Sequence, residues 1–218
     1  MKSAPEADIV IIHNALSNDI VKKLLVACPS CHFKHEDPVN MRIVHDQRMY
    51  LLYDYLLNNP DVGYLVTSDI RDVDFYADPF KVMKEIGDYI YAGYDVAFYK
   101  EKVKTMPWLR YMLPICFPDL KDAEKNIISN LYGIFNSGTL GGSRHALLTL
   151  LSHMILYLDI ASLDGVCDMV TTNVVLHLQL YDHVYAGYPF SGSFLNGIFG
   201  QQGAAVWHKV GRDYKGIR

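Results

Sequence analysis

Short apolar runs alternate with stretches of helical period along this chain, a pattern that predicts an α/β fold with a mostly parallel central sheet flanked by helices. "DIVIIHNA" (8–15) reads as a first buried strand, and "SNDIVKKLLVAC" as a helix capped by Ser17 or Asn18. A second strand is expected near 41–44. In "HDQRMYLLYDYLLNNP", Met49, Leu52, Tyr53, Leu56 and Leu57 recur at helical spacing before Asn58, Asn59 and Pro60 end the helix. "VGYLVTS" (62–68) and "YDVAFYK" (94–100) read as further strands, followed by a helical and irregular region carrying Pro107, Pro114 and Pro118. "LYGIFNSGTLGGS" reads as a strand running into a glycine-rich turn. Ser143 then caps a helix with an apolar stripe of Leu147, Leu150, Leu151, Met154, Ile155 and Leu158. Asp168 opens another helical stretch through Leu180, and "AAVWHKVGR" (204–212) reads as a last short strand ending in a polar loop.

Without a linker or repeat, 218 residues suit a single domain, 1–218. A net charge of −4 argues against a nucleic-acid partner. The N-terminal "MKSAPEADIVII" is acidic, broken by Pro5 and too short for a signal peptide or a membrane span. The longest apolar stretch, "ALLTLLSHMILYL", is interrupted by Ser152 and His153 and has helical spacing. The expectation is a cytoplasmic protein with no membrane span. "CPSCHFKH" pairs Cys28 with Cys31 beside His32 and His35, but His32 abuts Cys31, so four tetrahedral zinc ligands would be cramped. Reduced cysteines, in keeping with a cytosolic setting, are the favoured reading for these and for Cys116 and Cys167.

The chemistry gathers in "SDIRDVDFYADPF", where Asp69, Asp72, Asp74 and Asp78 crowd behind an apolar strand. Carboxylates at a strand terminus with D-x-x-D and D-x-D spacing suit a hard divalent cation such as magnesium, manganese or calcium. A helix–loop–helix calcium site lacks its glycine and glutamate, and Phe75 and Tyr76 replace the small residues of an aspartyl-phosphate phosphatase loop. The alternative is a solvated acidic turn neutralised by Arg71 and nearby lysines. For Asp78, ahead of Pro79, a turn cap is favoured; for Asp69 to Asp74, a metal site.

"SDIRDVDFYADPF" resembles the D-x-D signature of small GT-A-fold glycosyltransferases, the nucleotide-diphospho-sugar transferase superfamily. In the family's order, "HDQRMYLLYDYL" is similar to its arginine-bearing helix and "FNSGTLGGSRHALL" to its N-[SA]-G-x-x-G-G segment. "DMVTTNVVLH" and "AAVWHKVGR" are similar to its aspartate helix and late metal-binding histidine. The resemblance implies a GT-A-like domain whose nucleotide-binding half is about 1–100 and whose acceptor and donor-sugar half is about 101–218. It implies manganese, or magnesium, on the diphosphate of a UDP-sugar, with Asp72, Asp74 and His208 as ligands. Asp69 would face the ribose or join the metal through water, and which two of Asp69, Asp72 and Asp74 touch the ion stays open. Lys209 or Arg212 would share the diphosphate charge. His13 and Asn14 would hold the nucleobase beside Arg48, and Asn136, Ser137 and Gly138, with Gly141 and Gly142, would meet the donor sugar. Asp168 is the candidate base, with a helix cap as its alternative role and Asp164 as the spare. The implied reaction is hexosyl transfer to a hydroxyl of a glycan or glycoprotein. A metal-dependent nucleotide or phosphoester hydrolase and a non-catalytic nucleotide-sugar binder are the competing readings.

Overall fold

The computed structural model describes residues 7–37, 42–69, 73–96, 98–99, 102–103, 107–129, 133–187, 189–191 and 205–208. The apolar run at the start forms β1 (Ile9–His13), and Ser17, whose hydroxyl accepts the Ile20 amide, caps α1 (Asn18–Ala27). Of the second strand expected near 41–44, residue 41 lies outside the described residues, and 42–44 form no strand. The second strand is β2 (Cys31–His35), parallel to β1, and α2 (Val44–Asn58) already begins at Val44. The cysteine and two histidines of "CHFKH" concealed a strand whose register comes from pairing with β1, not from its own alternation.

β3 (Tyr64–Ser68), β4 (Val73–Phe75) and α3 (Pro79–Ile86) follow. Asp78 caps α3 through the Phe80 amide at 2.9 Å, with Pro79 at the first helical position, where its missing N–H costs nothing. Next come β5 (Ile90–Val96), β6 (Phe98–Tyr99), β7 (Lys102–Val103), α4 (Pro107–Cys116) and α5 (Asp122–Ser129). The chain continues through β8 (Gly133–Ser143), α6 (Arg144–Ile160) and α7 (Asp168–Leu178). A 3-10 turn then leads to β9 (Val184–Ala186), β10 (Phe190–Ser191) and β11 (Val206–His208).

The fold is α/β, but its sheets are small and mixed rather than mostly parallel. The largest runs β3-β8-β5-β9, with β8 antiparallel to both neighbours and β9 parallel to β5; a three-stranded sheet runs β10-β11-β4. The cause lies in β8, which inserts between β3 and β5. Its "GTLGG" segment, expected to turn, stays extended because small residues there admit neighbours: a Cβ on Gly141 would stand 2.7 Å from the Phe190 ring.

Leu147, Leu150, Leu151, Met154 and Leu158 of α6 are buried in one apolar cluster with Met49 and Leu56 of α2 and Val170, Val174 and Val175 of α7. Asn173 ties α7 to β8: its amide accepts the Phe135 N–H and donates to the Phe135 carbonyl, both at 2.9 Å. The cysteines are not free thiols. Cys28 bonds Cys31 and Cys116 bonds Cys167, with Cα separations of 5.4 and 5.7 Å. The second bridge joins the end of α4 to the start of α7, a proximity that only the tertiary fold creates. Paired cysteines belong to oxidising surroundings, so the cytosolic expectation loses the support it drew from free thiols. No helix among the described residues is long and apolar enough to cross a membrane.

Candidate functional site

Asp69 follows the last residue of β3, and its amide donates to the Gly138 carbonyl of β8 at 2.9 Å, fixing the carboxylate beside that strand. Its Oδ1 accepts from Arg48 at 2.6 Å, and its Oδ2 lies 3.2 Å from His208 Nε2. The second terminal nitrogen of Arg48 donates to the Ser137 carbonyl at 3.0 Å, to Ser137 Oγ at 3.1 Å and to Asp168 Oδ2 at 2.5 Å. Ser137 Oγ also donates to Asp168 Oδ2 at 3.1 Å. One guanidinium from α2 therefore bridges the carboxylate at the end of β3 and the carboxylate that opens α7. Three elements distant in sequence converge on it.

Sterics permit the meeting of imidazole and carboxylate. A Cβ at Gly138 would stand 2.5 Å from the His208 ring and 2.8 Å from Asp69 Oδ2, so only glycine leaves room for both. Asn136 braces the same backbone, its Oδ1 accepting the Gly138 amide at 2.6 Å. Partial burial favours the neutral form of Asp69, but the His208 hydrogen bond and the Arg48 charge together outweigh it. They hold its carboxyl down at about 2. Asp69 is thus an anion at any physiological pH.

The residues expected in the site divide into those the fold brings together and those it does not. Arg48, Asp69, Ser137, Gly138, Asp168 and His208 converge, with Asn136 directly behind them. Asp74 does not join: β11 pairs with β4 so that His208 faces Val73 and Asp74 faces Trp207. Successive strand residues point to opposite faces, so Asp74 and His208 lie on opposite sides of the ribbon. Asp74 accepts from the Tyr76 hydroxyl at 3.3 Å. Asp72, Lys209 and Arg212 lie outside the described residues. His13 ends β1, where its ring meets His35 and Phe33 edge-on at 5.5 and 6.2 Å, and Asn14 is exposed just beyond. Asp164 is exposed and takes part in a local turn with Ser162. Arg48, expected beside a nucleobase, is instead clamped between two carboxylates.

Asp46 went unread. It is 1 % exposed, and its Oδ1 accepts the Cys167 amide at 3.0 Å. The available signal was positional: Asp46 stands three residues before Met49, seven before Tyr53 and ten before Leu56, on the apolar stripe of α2. A carboxylate there must find a partner inside the protein.

Among the described residues no three histidine, cysteine, aspartate or glutamate side chains form a metal-binding group. Asp69 and His208 nevertheless fit two places on one ion. Adjacent ligands on an octahedral ion at ~2.1 Å stand about 3 Å apart, close to the 3.2 Å between Asp69 Oδ2 and His208 Nε2. An oxygen and an imidazole nitrogen together suit manganese more than calcium.

No protein-family model matches the sequence, and no curated protein matches it. Among solved structures it is similar to Core-mannan synthase A from Aspergillus fumigatus in its Mn/GDP form, with a TM-score of 0.48 at 12% identity. The likeness covers 81% of this chain and 63% of that one, so the chain spans less than two thirds of the protein it resembles.

Proposed function

We propose that this chain is a metal-dependent glycosyltransferase that moves a sugar from a UDP-sugar to a hydroxyl of a glycan or glycoprotein. The observation that carries the reading is the division of labour around Arg48. On one side Asp69 and His208 form a mixed oxygen and nitrogen pair at a strand end; on the other, Asp168 stands at a helix start, 4 % exposed and ionically paired.

Asp69 and His208 would hold manganese or magnesium, with Asp72 the remaining candidate from the acidic segment. When bound, the ion supplies Lewis-acid stabilisation of the departing diphosphate. Arg48 helps to keep the Asp69 carboxyl ionised and fixes the separation of the two carboxylates. Asp168 accepts from Arg48 and Ser137 on Oδ2, so Oδ1 is the oxygen that takes the acceptor hydroxyl's proton. The donor sugar would lie beside Ser137 and the backbone around Gly138. His13 and Asn14 remain proposed for the nucleobase, and Lys209 and Arg212 for the diphosphate. Residues 1–100 supply Arg48 and Asp69 and residues 101–218 supply Ser137, Asp168 and His208, which supports a site where the two halves of one domain meet.

A thermal-shift panel of nucleotide-sugars, with and without manganese, tests the reading. The expected result is selective stabilisation by one UDP-sugar, reversed by a chelator; an unchanged melting temperature across the panel would overturn it. UDP release that rises when an acceptor sugar is added separates a transferase from a hydrolase, which would be indifferent to acceptor. A pure binder would show donor stabilisation without any release.

A further inference from the structure

We propose that Asp46 is a positioning residue for Asp168, acting as a helix cap supplied from a neighbouring helix. The inference rests on the reading of Asp168 as the base.

α7 begins at Asp168 with no cap of its own: the residue before it, Cys167, makes no side-chain capping bond. The first amides of a helix need acceptors, and in a buried setting water cannot serve. Asp46 fills that role from α2, its Oδ1 receiving the Cys167 N–H at 3.0 Å. The Asp168 amide also acts on the same carboxylate; it and the Cys167 amide both favour the charged form. Burial and the nearby Asp168 charge push the Asp46 carboxyl above its ordinary value all the same.

A carboxylate placed at such a cost needs a partner that fixes it, and Arg42 provides one at 3.6 Å, 7 % exposed. Arg42 also donates to the carbonyls of Leu158 and Ala161 at the end of α6. The chain of contacts therefore runs from the end of α6 through Arg42 and Asp46 to the backbone that carries Asp168. Two residues on from Asp46, Arg48 grips the Asp168 side chain. One turn of α2 thus holds both the backbone and the carboxylate of the proposed base, while the Cys116–Cys167 bond ties the same point to α4. Displacing a reacting group by about 1 Å costs up to roughly a hundredfold in rate, so the cap matters to turnover more than to donor binding at Asp69 and His208.

The test compares Asp46→Ala with Asp46→Asn at a temperature where circular dichroism shows both folded. Alanine removes the acceptor and is expected to lower kcat by about tenfold or more with the donor KM nearly unchanged. Asparagine keeps an oxygen for the Cys167 amide and is expected to recover most of the rate. An alanine variant with unaltered kcat, or with kcat and donor KM failing together, overturns the proposal. Should alanine unfold the chain, Asp46→Glu keeps the charge but moves the acceptor by one methylene, and the same kcat loss is expected. If the wild type turns over no nucleotide-sugar, the transferase reading fails by itself. The crystal structure of the variant then decides for Asp46: an Asp168 carboxylate still on Arg48 and Ser137 overturns its role, and one drawn away supports it.

Discussion

Helices α1 and α6 both carry apolar residues at helical spacing, yet they are used differently. α6 buries Ala146, Leu147, Leu150, Leu151, Met154 and Leu158, whereas α1 buries no residue, with Ile20 44 % and Val26 84 % exposed. The strand feeding α1 is half-buried along its whole length, and β1–β2 forms a sheet of its own. Every side chain of the Arg48 cluster stands on or beside buried elements: α2, β8, α7, β11 and the end of β3. His13 and Asn14, by contrast, stand on the sparsely packed unit. The proposed roles match this difference: groups that must keep sub-ångström geometry would need a backbone fixed by apolar burial, whereas a surface that only cradled a flat ring would tolerate less support.

The comparison is sharpest at Asp168. Asp168→Asn is expected to lower turnover by about a hundredfold to ten-thousandfold while leaving UDP-sugar binding intact, because Asp69 and His208 are untouched. His13→Ala should raise the donor KM and leave kcat nearly alone. Steady-state kinetics with both variants would read the two effects separately, and an Asp168→Asn enzyme with wild-type kcat would remove the base from the mechanism.

Stability should divide along the same line. Leu150→Ala empties a fully buried position between α6 and its neighbours and is expected to cost roughly 2–5 kcal/mol. Leu24→Ala, on α1, should stay within about 0.5 kcal/mol. Urea unfolding monitored by circular dichroism measures both, and equal losses would mean that α1 is held far more firmly than its exposure implies.

Gly138→Ala probes a smaller effect inside the site. Its Cβ would collide with both the His208 ring and Asp69 Oδ2, so carboxylate and imidazole must part. The packing penalty is about 1–3 kcal/mol, and manganese-dependent stabilisation by UDP should fall with it. Unchanged metal dependence in calorimetry would dissociate His208 and Asp69 from any ion.

How far the sequence could foresee this arrangement depends on whether the information was local. The α6 stripe, the Ser143 cap and the β3 strand follow from periodicity and capping chemistry, and each is found where expected. The direction of the strands was not local: β8 sits between β3 and β5, and nothing in its own residues states that both neighbours oppose it. The same holds for Cys116 and Cys167, which only the packing of α4 against α7 brings together. Arg48 and Asp168 were legible as candidates by type and order, but their ion pair spans 120 residues and comes from the fold alone. Asp46 was legible in principle, as a charge on an apolar stripe.

The last contrast concerns acid. His177, on the buried side of α7, packs its ring on Phe135 at 4.6 Å and stacks on Tyr181 at 6.0 Å, and its Nε2 is buried without a hydrogen-bond partner among the described residues. Burial pushes its pKa down from 6.5 to about 4. A basic group whose folded pKa is depressed takes up its proton more readily in the unfolded chain. Its contribution to stability is therefore whole above about 6.5 and is lost progressively as the pH falls toward about 4. Carboxylates titrate toward the lower end of that range, so the wild-type curve alone cannot isolate the histidine. The difference between wild type and His177→Phe can, because a phenyl ring keeps the stacking and carries no proton. The melting temperature of His177→Phe should gain on that of the wild type as the pH drops from 7 to 4.5. A difference that stays constant across the range would show that the imidazole is hydrated in the native state, and that the end of α7 is packed no better than α1.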